Sequence, residues 1–130
     1  MINVPDTTTV NMSEFKPDAH SIAFAPELIQ FIKDNQKLTT YRFGKKYDHF
    51  KVGDVVNYQN SETGEIVGKL RIANKKEETF ATLPLDNPTH EAYRDKEHQR
   101  QVLSGYYAYI GREVTDDDSF LIFDFTPTTN

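Results

Sequence analysis

Three side chains that can do chemistry stand close together between residues 35 and 42, namely Lys37, Thr40 and Arg42. They supply an amine, a hydroxyl and a fixed positive charge, which bind phosphate or carbonyl oxygens. A hydroxyl beside an amine is also a candidate nucleophile beside a candidate base, the combination that amide hydrolysis requires. The opposite interpretation is an ordinary strand whose charged side chains are solvated.

The run from Lys37 to Arg42 has the composition of a strand, in which successive side chains point to opposite faces. Strict alternation predicts that Lys37 shares one face with Tyr41, while Thr40 shares the other face with Arg42. A bend or bulge near Lys37 would change this division.

The charge of the chain is unevenly distributed. Residues 33–51 carry six basic side chains against two acidic ones, a local charge of +4, whereas the whole chain of 130 residues carries −5. The negative total argues against nonspecific coating of nucleic acid. The local positive field suits a small anion or a short piece of RNA. The predicted ligand-binding residues are Arg42, Lys45 and Lys46, which carry this charge, and Tyr41, whose ring could stack on a base.

Composition excludes several kinds of site. The chain has no cysteine, so it has no disulfide framework, thiol nucleophile or thiolate metal site. Its four histidines show no metal-ligand spacing and it has no glycine-rich phosphate loop, so neither a metal nor a cofactor is predicted. Because no signal peptide and no apolar run of membrane-spanning length are seen, the expected compartment is the cytoplasm.

The order of predicted elements indicates one small α+β domain. Residues 1–20 are polar and aperiodic and are predicted to form a flexible arm, whereas residues 21–127 form the domain. The predicted helices run from Pro26 to Asn35 and from Thr89 to Ser104, the second capped by Asn87 and Pro88. The predicted strands are 37–42, 55–58, 66–73, 79–83 and 119–125, with a turn at 61–64, a bulge at Gly68 and a polar stretch at 74–78.

Together these features resemble the ASCH domain of the PUA-like superfamily. The family motif G-x-K-x-x-T-x-R is matched at Lys37, Thr40 and Arg42, with Asn35 where glycine is usual. Asparagine is the next best residue for a left-handed backbone, so this departure is mild. The resemblance extends over residues 22–125 and includes a strand opened by a Gly-Asp pair and a final Phe-x-Phe strand.

The resemblance implies a small, mostly antiparallel PUA-like β-barrel with two or three flanking helices and a cleft for RNA or nucleosides. Some small bacterial members hydrolyse the amide of N4-acetylcytidine. In those, the lysine and threonine of the motif act with a glutamate at the start of a later helix. Lys37 and Thr40 match the first two, and Glu91 matches the third by looser counting. Other members bind or cleave RNA.

The residues leave three functions open. The first is binding of RNA or a modified nucleoside near Lys37, Thr40 and Arg42. The second is an N4-acetylcytidine amidohydrolase with Thr40 as nucleophile, Lys37 as activator and Glu91 as proton shuttle. The third is a regulatory protein-interaction module, and the fold alone does not choose among them. Two of these residues also have a purely structural interpretation. Glu91 would favour the positive end of its helix, and Arg42 would form an ion pair with Asp54 or Glu91.

Overall fold

A five-stranded sheet and two helices form the body of the described chain. The computed structural model describes residues 2–3 and 20–128. The strands are β1 (Ile2–Asn3), β2 (Ser21–Phe24), β3 (Thr39–Phe43), β4 (Val55–Asn60), β5 (Ile66–Thr79), β6 (Glu91–Ala92) and β7 (Ser119–Pro127). The helices are α1 (Pro26–Lys33) and α2 (Lys96–Tyr106), and 3₁₀ turns span Phe80–Thr82 and Ala108–Ile110. The predicted arm of residues 1–20 lies outside the described residues, apart from β1 and His20.

The strands of the main sheet run in the order β2-β4-β5-β7-β3. In this sheet β2 and β4 pair in parallel, and the other neighbours are antiparallel. The predicted α+β class and the mostly antiparallel sheet are therefore confirmed. Because β2 and β3 are edges, the described strands form an open sheet and not a closed barrel. A separate two-stranded pairing joins β1 to β6 in parallel.

The longest strand, β5, includes a polar segment that lies outside the strands predicted from the sequence. Residues 74–78 have mostly exposed side chains, but their backbone pairs with β7, from Asn74 opposite Asp124 onward. The predicted end of the strand at Ala73 was wrong because the polar composition of 74–78 reflects exposed side chains, while backbone pairing to β7 continues the strand. The strand predicted at 79–83 is instead a 3₁₀ turn at Phe80–Thr82.

A β-bulge interrupts the pairing of β4 with β5 next to Gly68, where the sequence predicts one. Tyr58 pairs with Gly68, but Gln59 pairs with Ile66, so β5 has one extra residue. A Cβ atom on Gly68 would lie 2.9 Å from Cε1 of Tyr58. The glycine therefore allows the Tyr58 ring to cross β5 at close range.

Both faces of β7 are buried, as its apolar run predicts. Leu121, Phe123 and Phe125 belong to an apolar cluster that includes side chains of α1. Phe120 and Ile122 belong to a second cluster that includes side chains of α2. The last strand thus stands at the centre of the core, with a helix contributing to each cluster.

The second helix begins later than the sequence predicts. α2 starts at Lys96, and the side chain of Asp95 caps it by accepting a hydrogen bond from the backbone nitrogen of His98 at 2.8 Å. The predicted helix cap at Asn87 was wrong, because the Asn87 side chain makes its hydrogen bond within a turn that lies before α2. Its Oδ1 accepts from the backbone nitrogen of Thr89 at 3.0 Å. Neither helix of the described chain is long and apolar enough to cross a membrane.

Candidate functional site

Lys37 reaches the site from the turn between α1 and β3. Asn35 takes the left-handed backbone conformation expected of it (φ 59°), which redirects the chain after α1. The backbone nitrogen of Lys37 then donates to the carbonyl oxygen of Phe31 at 3.0 Å. Because Lys37 precedes the paired residues of β3, strand alternation does not govern it. Lys37 lines the same pocket as Thr40, Tyr41 and Arg42, so residues from both predicted faces meet there.

Glu91 is held by an extended segment and not by the start of a helix. The carbonyl oxygen of Thr89 accepts hydrogen bonds from the backbone nitrogens of Leu38 at 2.9 Å and Thr39 at 3.2 Å. The hydroxyl oxygens of Thr39 and Thr89 also lie 2.8 Å apart. These bonds fix β6 beside the beginning of β3, where Glu91 meets Lys37.

Lys37 and Glu91 form a buried ion pair. Nζ of Lys37 lies 2.5 Å from Oε2 of Glu91, and it also donates to the carbonyl oxygen of Thr39 at 2.9 Å. The two side chains are only 1% and 5% exposed. Because charges taken out of water are costly, each partner depends on the other. A buried amine and carboxylate at a pocket wall is a candidate site of proton transfer.

Burial and charge act together on the pKa values of this pair. Desolvation raises the pKa of the Glu91 carboxyl, but the charge of His90 when protonated, the Lys37 cation and its hydrogen bond lower that pKa overall, to about 2. Desolvation lowers the pKa of the Lys37 amine, and the attraction of Glu91 offsets only part of this shift. Arg42 lowers the pKa of Lys37 further. Lys37 therefore gives up its proton more readily than an exposed lysine does.

Thr40 and Arg42 point to the same pocket from alternate positions of β3. Nε of Arg42 donates to the hydroxyl oxygen of Thr40 at 2.9 Å. The guanidinium carbon lies 4.5 Å from the ring centre of Phe24 and 5.4 Å from that of Tyr47. A cation that donates to the Thr40 oxygen stabilises negative charge on it, which suits a nucleophile.

His90 is a site residue that the sequence did not indicate, because its only signal is its place next to Glu91. Its ring is stacked on Tyr41, with ring centres 3.8 Å apart. Burial lowers the pKa of His90 to about 3, so the ring is neutral at pH 7. Its Nδ1 faces two acceptors of Glu91, the carbonyl oxygen at 3.2 Å and Oε2 at 3.4 Å. The neutral ring thus carries its proton on Nδ1 and has Nε2 as an acceptor.

These side chains surround a concave pocket, which we call the main pocket. It encloses about 350 Å³ of empty space, part of which is open to solvent. Its polar groups come from Lys37, Thr40, Arg42, His90 and Glu91. Its aromatic wall consists of Phe24, Tyr41, Tyr93, Tyr106 and Tyr107. A few converging polar groups in a mostly apolar pocket are typical of a small-molecule site. Across residues 20–128, no group of three or more His, Asp or Glu side chains is placed to hold a metal ion.

The two lysines of the basic loop are placed differently from each other. Lys45 is exposed and pairs with Glu77 of β5, and it is not part of the main pocket. Lys46 lines a smaller adjoining pocket of about 280 Å³, also partly open to solvent. Its Nζ lies 5.6 Å from the ring centre of Tyr47. Because Arg42 lines both pockets, the structure groups Lys46, but not Lys45, with the other predicted site residues.

Comparison with known proteins identifies the fold. No protein-family model and no curated protein matches the sequence. The solved ASCH domain of Lactobacillus crispatus JV V101 matches with a TM-score of 0.60 and 16% identity, over 82% of this chain and 77% of that one. A protein of Enterococcus faecalis V583 matches with a TM-score of 0.64 and 12% identity, over 88% and 74%. The ASCH protein of Zymomonas mobilis matches with a TM-score of 0.54 and 14% identity, over 85% and 71%.

These structures share a backbone fold with this chain. The ASCH-type fold predicted from the motif and the order of elements is therefore confirmed. At 12–16% identity the likeness concerns the fold alone, and the role of each side chain has to be argued from the site.

Proposed function

We propose that this protein, which has the fold of ASCH domains, binds a modified nucleoside in the main pocket. The observation that carries the proposal is the buried pair of Lys37 and Glu91 in the wall of an aromatic pocket. The ammonium group of Lys37 has three donors, of which Glu91 and the carbonyl of Thr39 accept two. A third donor is left for the ligand, and a base carbonyl or an acyl oxygen is a matching acceptor.

The rest of the wall suits a planar base. The stacked rings of Tyr41 and His90 and the ring of Tyr93 offer apolar surface for a base, for which stacking contributes about 1–3 kcal/mol. Nε2 of His90 supplies an acceptor for an N–H group of the base.

Two paired lysines, Lys45 and Lys75, favour a nucleoside over a long RNA. Lys45 pairs with Glu77, and Lys75 lies 3.0 Å from the carboxylate of Asp48. Lysines paired in this way contribute less to phosphate binding than unpaired ones, because the pair must be broken first. An RNA would enter the main pocket only by presenting one unstacked base.

A second candidate function, hydrolysis of N4-acetylcytidine, is favoured by the hydrogen bond between Lys37 and Glu91, along which a proton of the amine can pass. Moving that proton across the 2.5 Å hydrogen bond gives a neutral amine and a neutral carboxylic acid. The neutral amine is the base that the Thr40 hydroxyl needs, and Arg42 stabilises negative charge on the Thr40 oxygen.

In the acylation step, the Thr40 oxygen forms a bond to the acyl carbon and its proton passes to Lys37. The bond between the acyl carbon and N4 then breaks, and N4 takes a proton from Lys37, with Glu91 restoring the proton of the amine. Cytidine leaves and the acyl group remains as an ester on Thr40. Water attacks this ester by the same proton route, which releases acetic acid and restores the hydroxyl.

One experiment tests both candidates. The protein is titrated calorimetrically with cytidine and incubated with N4-acetylcytidine, and the product cytidine is followed by chromatography. Loss of the nucleophile in Thr40→Val, or of the shuttle in Glu91→Gln, is expected to lower turnover by a factor of about 10² or more. The matched control is Thr126→Val, at an exposed threonine of β7 that does not line the main pocket.

The outcomes separate the two functions. Turnover that Thr40→Val abolishes and Thr126→Val leaves intact supports the hydrolase. Binding of cytidine without turnover of N4-acetylcytidine removes the hydrolase and leaves nucleoside binding. If the folded protein binds neither compound, both candidates fail.

A further inference from the structure

Arg42 is a buried cation that the described chain does not neutralise. The residue is 5% exposed, and among residues 20–128 no carboxylate oxygen lies within 4.0 Å of its guanidinium nitrogens. The ion pairs with Asp54 or Glu91 that the sequence suggests are therefore absent. Nε donates to Thr40, while the two terminal nitrogens make no hydrogen bond to a described residue.

A buried charge without a counterion is costly, and buried cations are usually paired. Lys37 follows this rule, since it is also buried and meets Glu91. The ring faces of Phe24 and Tyr47 attract the guanidinium, but such contacts contribute only about 0.5–2 kcal/mol. Arg42 therefore keeps two donors and a positive charge for a group that the described chain does not supply.

The position of Arg42 indicates where that group would lie. Its side chain lines both the main pocket and the smaller adjoining pocket. Lys46 lines the smaller pocket too, and both cations lie close to the ring centre of Tyr47, Arg42 at 5.4 Å and Lys46 at 5.6 Å. Two cations around one ring make this pocket a positive spot on a chain whose net charge is −5.

We propose that the smaller pocket is an anion subsite for the phosphate of the ligand, so that the protein prefers a nucleotide to the corresponding nucleoside. This inference rests on the proposed function, because the base has to occupy the main pocket. A phosphate monoester offers three acceptor oxygens, and the terminal nitrogens of a guanidinium match two of them in a fork. Arg42 would then contact both halves of the ligand.

Titration calorimetry with cytidine, cytidine 5′-monophosphate and cytidine 3′-monophosphate tests the subsite, and the two monophosphates distinguish the sources of the phosphate. At least one monophosphate is expected to bind about tenfold more tightly than cytidine, the effect of one charge-assisted contact. Arg42→Gln should remove this preference. Lys46→Ala, at an exposed residue, should reduce it several-fold without a folding risk. The matched control is Lys51→Ala, an exposed lysine of the same loop that lines neither pocket.

Equal affinity for all three compounds would overturn the subsite while nucleoside binding stands. A preference that Lys51→Ala reduces as much as Lys46→Ala would also overturn it, because that result reports overall charge. If none of the compounds binds, the proposed function fails, and inorganic phosphate tests the subsite alone. A phosphate-dependent shift of the Arg42 Nε–H resonance then supports the subsite, and its absence overturns it.

Discussion

Removing one member of the pair of Lys37 and Glu91 is expected to destabilise the protein more than removing both. Lys37→Met leaves the Glu91 carboxylate buried without its cation, and Glu91→Leu leaves the Lys37 amine buried without its anion. The side chains are 1% and 5% exposed, so water cannot replace the lost partner in place. Breaking a buried pair in this way costs about 3–5 kcal/mol of unfolding free energy.

The double variant decides whether the pair acts as a unit. If the two sites were independent, Lys37→Met with Glu91→Leu would lose the sum of the single effects, about 6–10 kcal/mol. A loss of that size would unfold many domains of this length. Replacing both charges with apolar groups of similar volume is often neutral, so we expect the double variant to be more stable than either single variant.

The unfolding free energies of the wild type, the two single variants and the double variant are measured at pH 7.5 by urea denaturation, with far-UV circular dichroism as the signal. The control is a second cycle on Lys45 and Glu77, an ion pair whose side chains are 57% and 49% exposed, where we expect little change and little coupling. A double variant as unstable as the sum of its parents would refute the reasoning. The ion pair of Lys37 and Glu91 would then no longer support the hydrolase.

Two further predictions concern His90 and Gly68. The pKa of His90 is about 6.5 in the unfolded chain but about 3 in the folded protein, so lowering the pH favours unfolding. We expect the unfolding free energy, measured by urea denaturation, to fall by about 2 kcal/mol between pH 7.5 and pH 5. This loss should be absent from His90→Gln. An equal pH dependence in His90→Gln would contradict this, since Glu91 contributes mainly below its unfolded pKa of 4.5. Gly68→Ala places a Cβ atom 2.9 Å from the Tyr58 ring and should lower the unfolding free energy by about 1–3 kcal/mol in the same assay. Adding Tyr58→Val to this variant should restore part of the loss. An unchanged denaturation midpoint in Gly68→Ala would contradict the prediction, because it would show that the ring moves freely.

The elements beside the site were predictable where a local signal determines them. Pro26 begins α1, and Asn35 takes the left-handed conformation that ends the turn before Lys37. The apolar run of β7 predicts burial on both of its faces. Each of these signals involves only residues close in sequence, and so do the backbone and periodicity rules that connect the signal to the structure.

Features that depend on distant backbone contacts were not predictable in this way. The meeting of Lys37 with Glu91 depends on hydrogen bonds that the carbonyl oxygen of Thr89 accepts from Leu38 and from Thr39, which is 50 positions away. The surroundings of Arg42 depend on Phe24, which β2 supplies from the opposite edge of the sheet, so the sequence left several partners open. The polar residues of β5 remain a strand because β7 pairs with them.

The negative charge of Glu91 is stabilised by a side chain distant in sequence and not by the start of a helix. A glutamate at a helix start would be stabilised as an anion by the helix dipole, whose effect falls off within the first turn. α2 begins only at Lys96, so the dipole does not account for the charge of Glu91. Its counterion is Lys37, 54 positions away, and the hydrogen bonds of Thr89 to the beginning of β3 bring the two together. The low pKa of Glu91 therefore depends on the neighbouring His90 and on a contact between segments distant in sequence, and the same contact places the ion pair in the pocket that Thr40 lines.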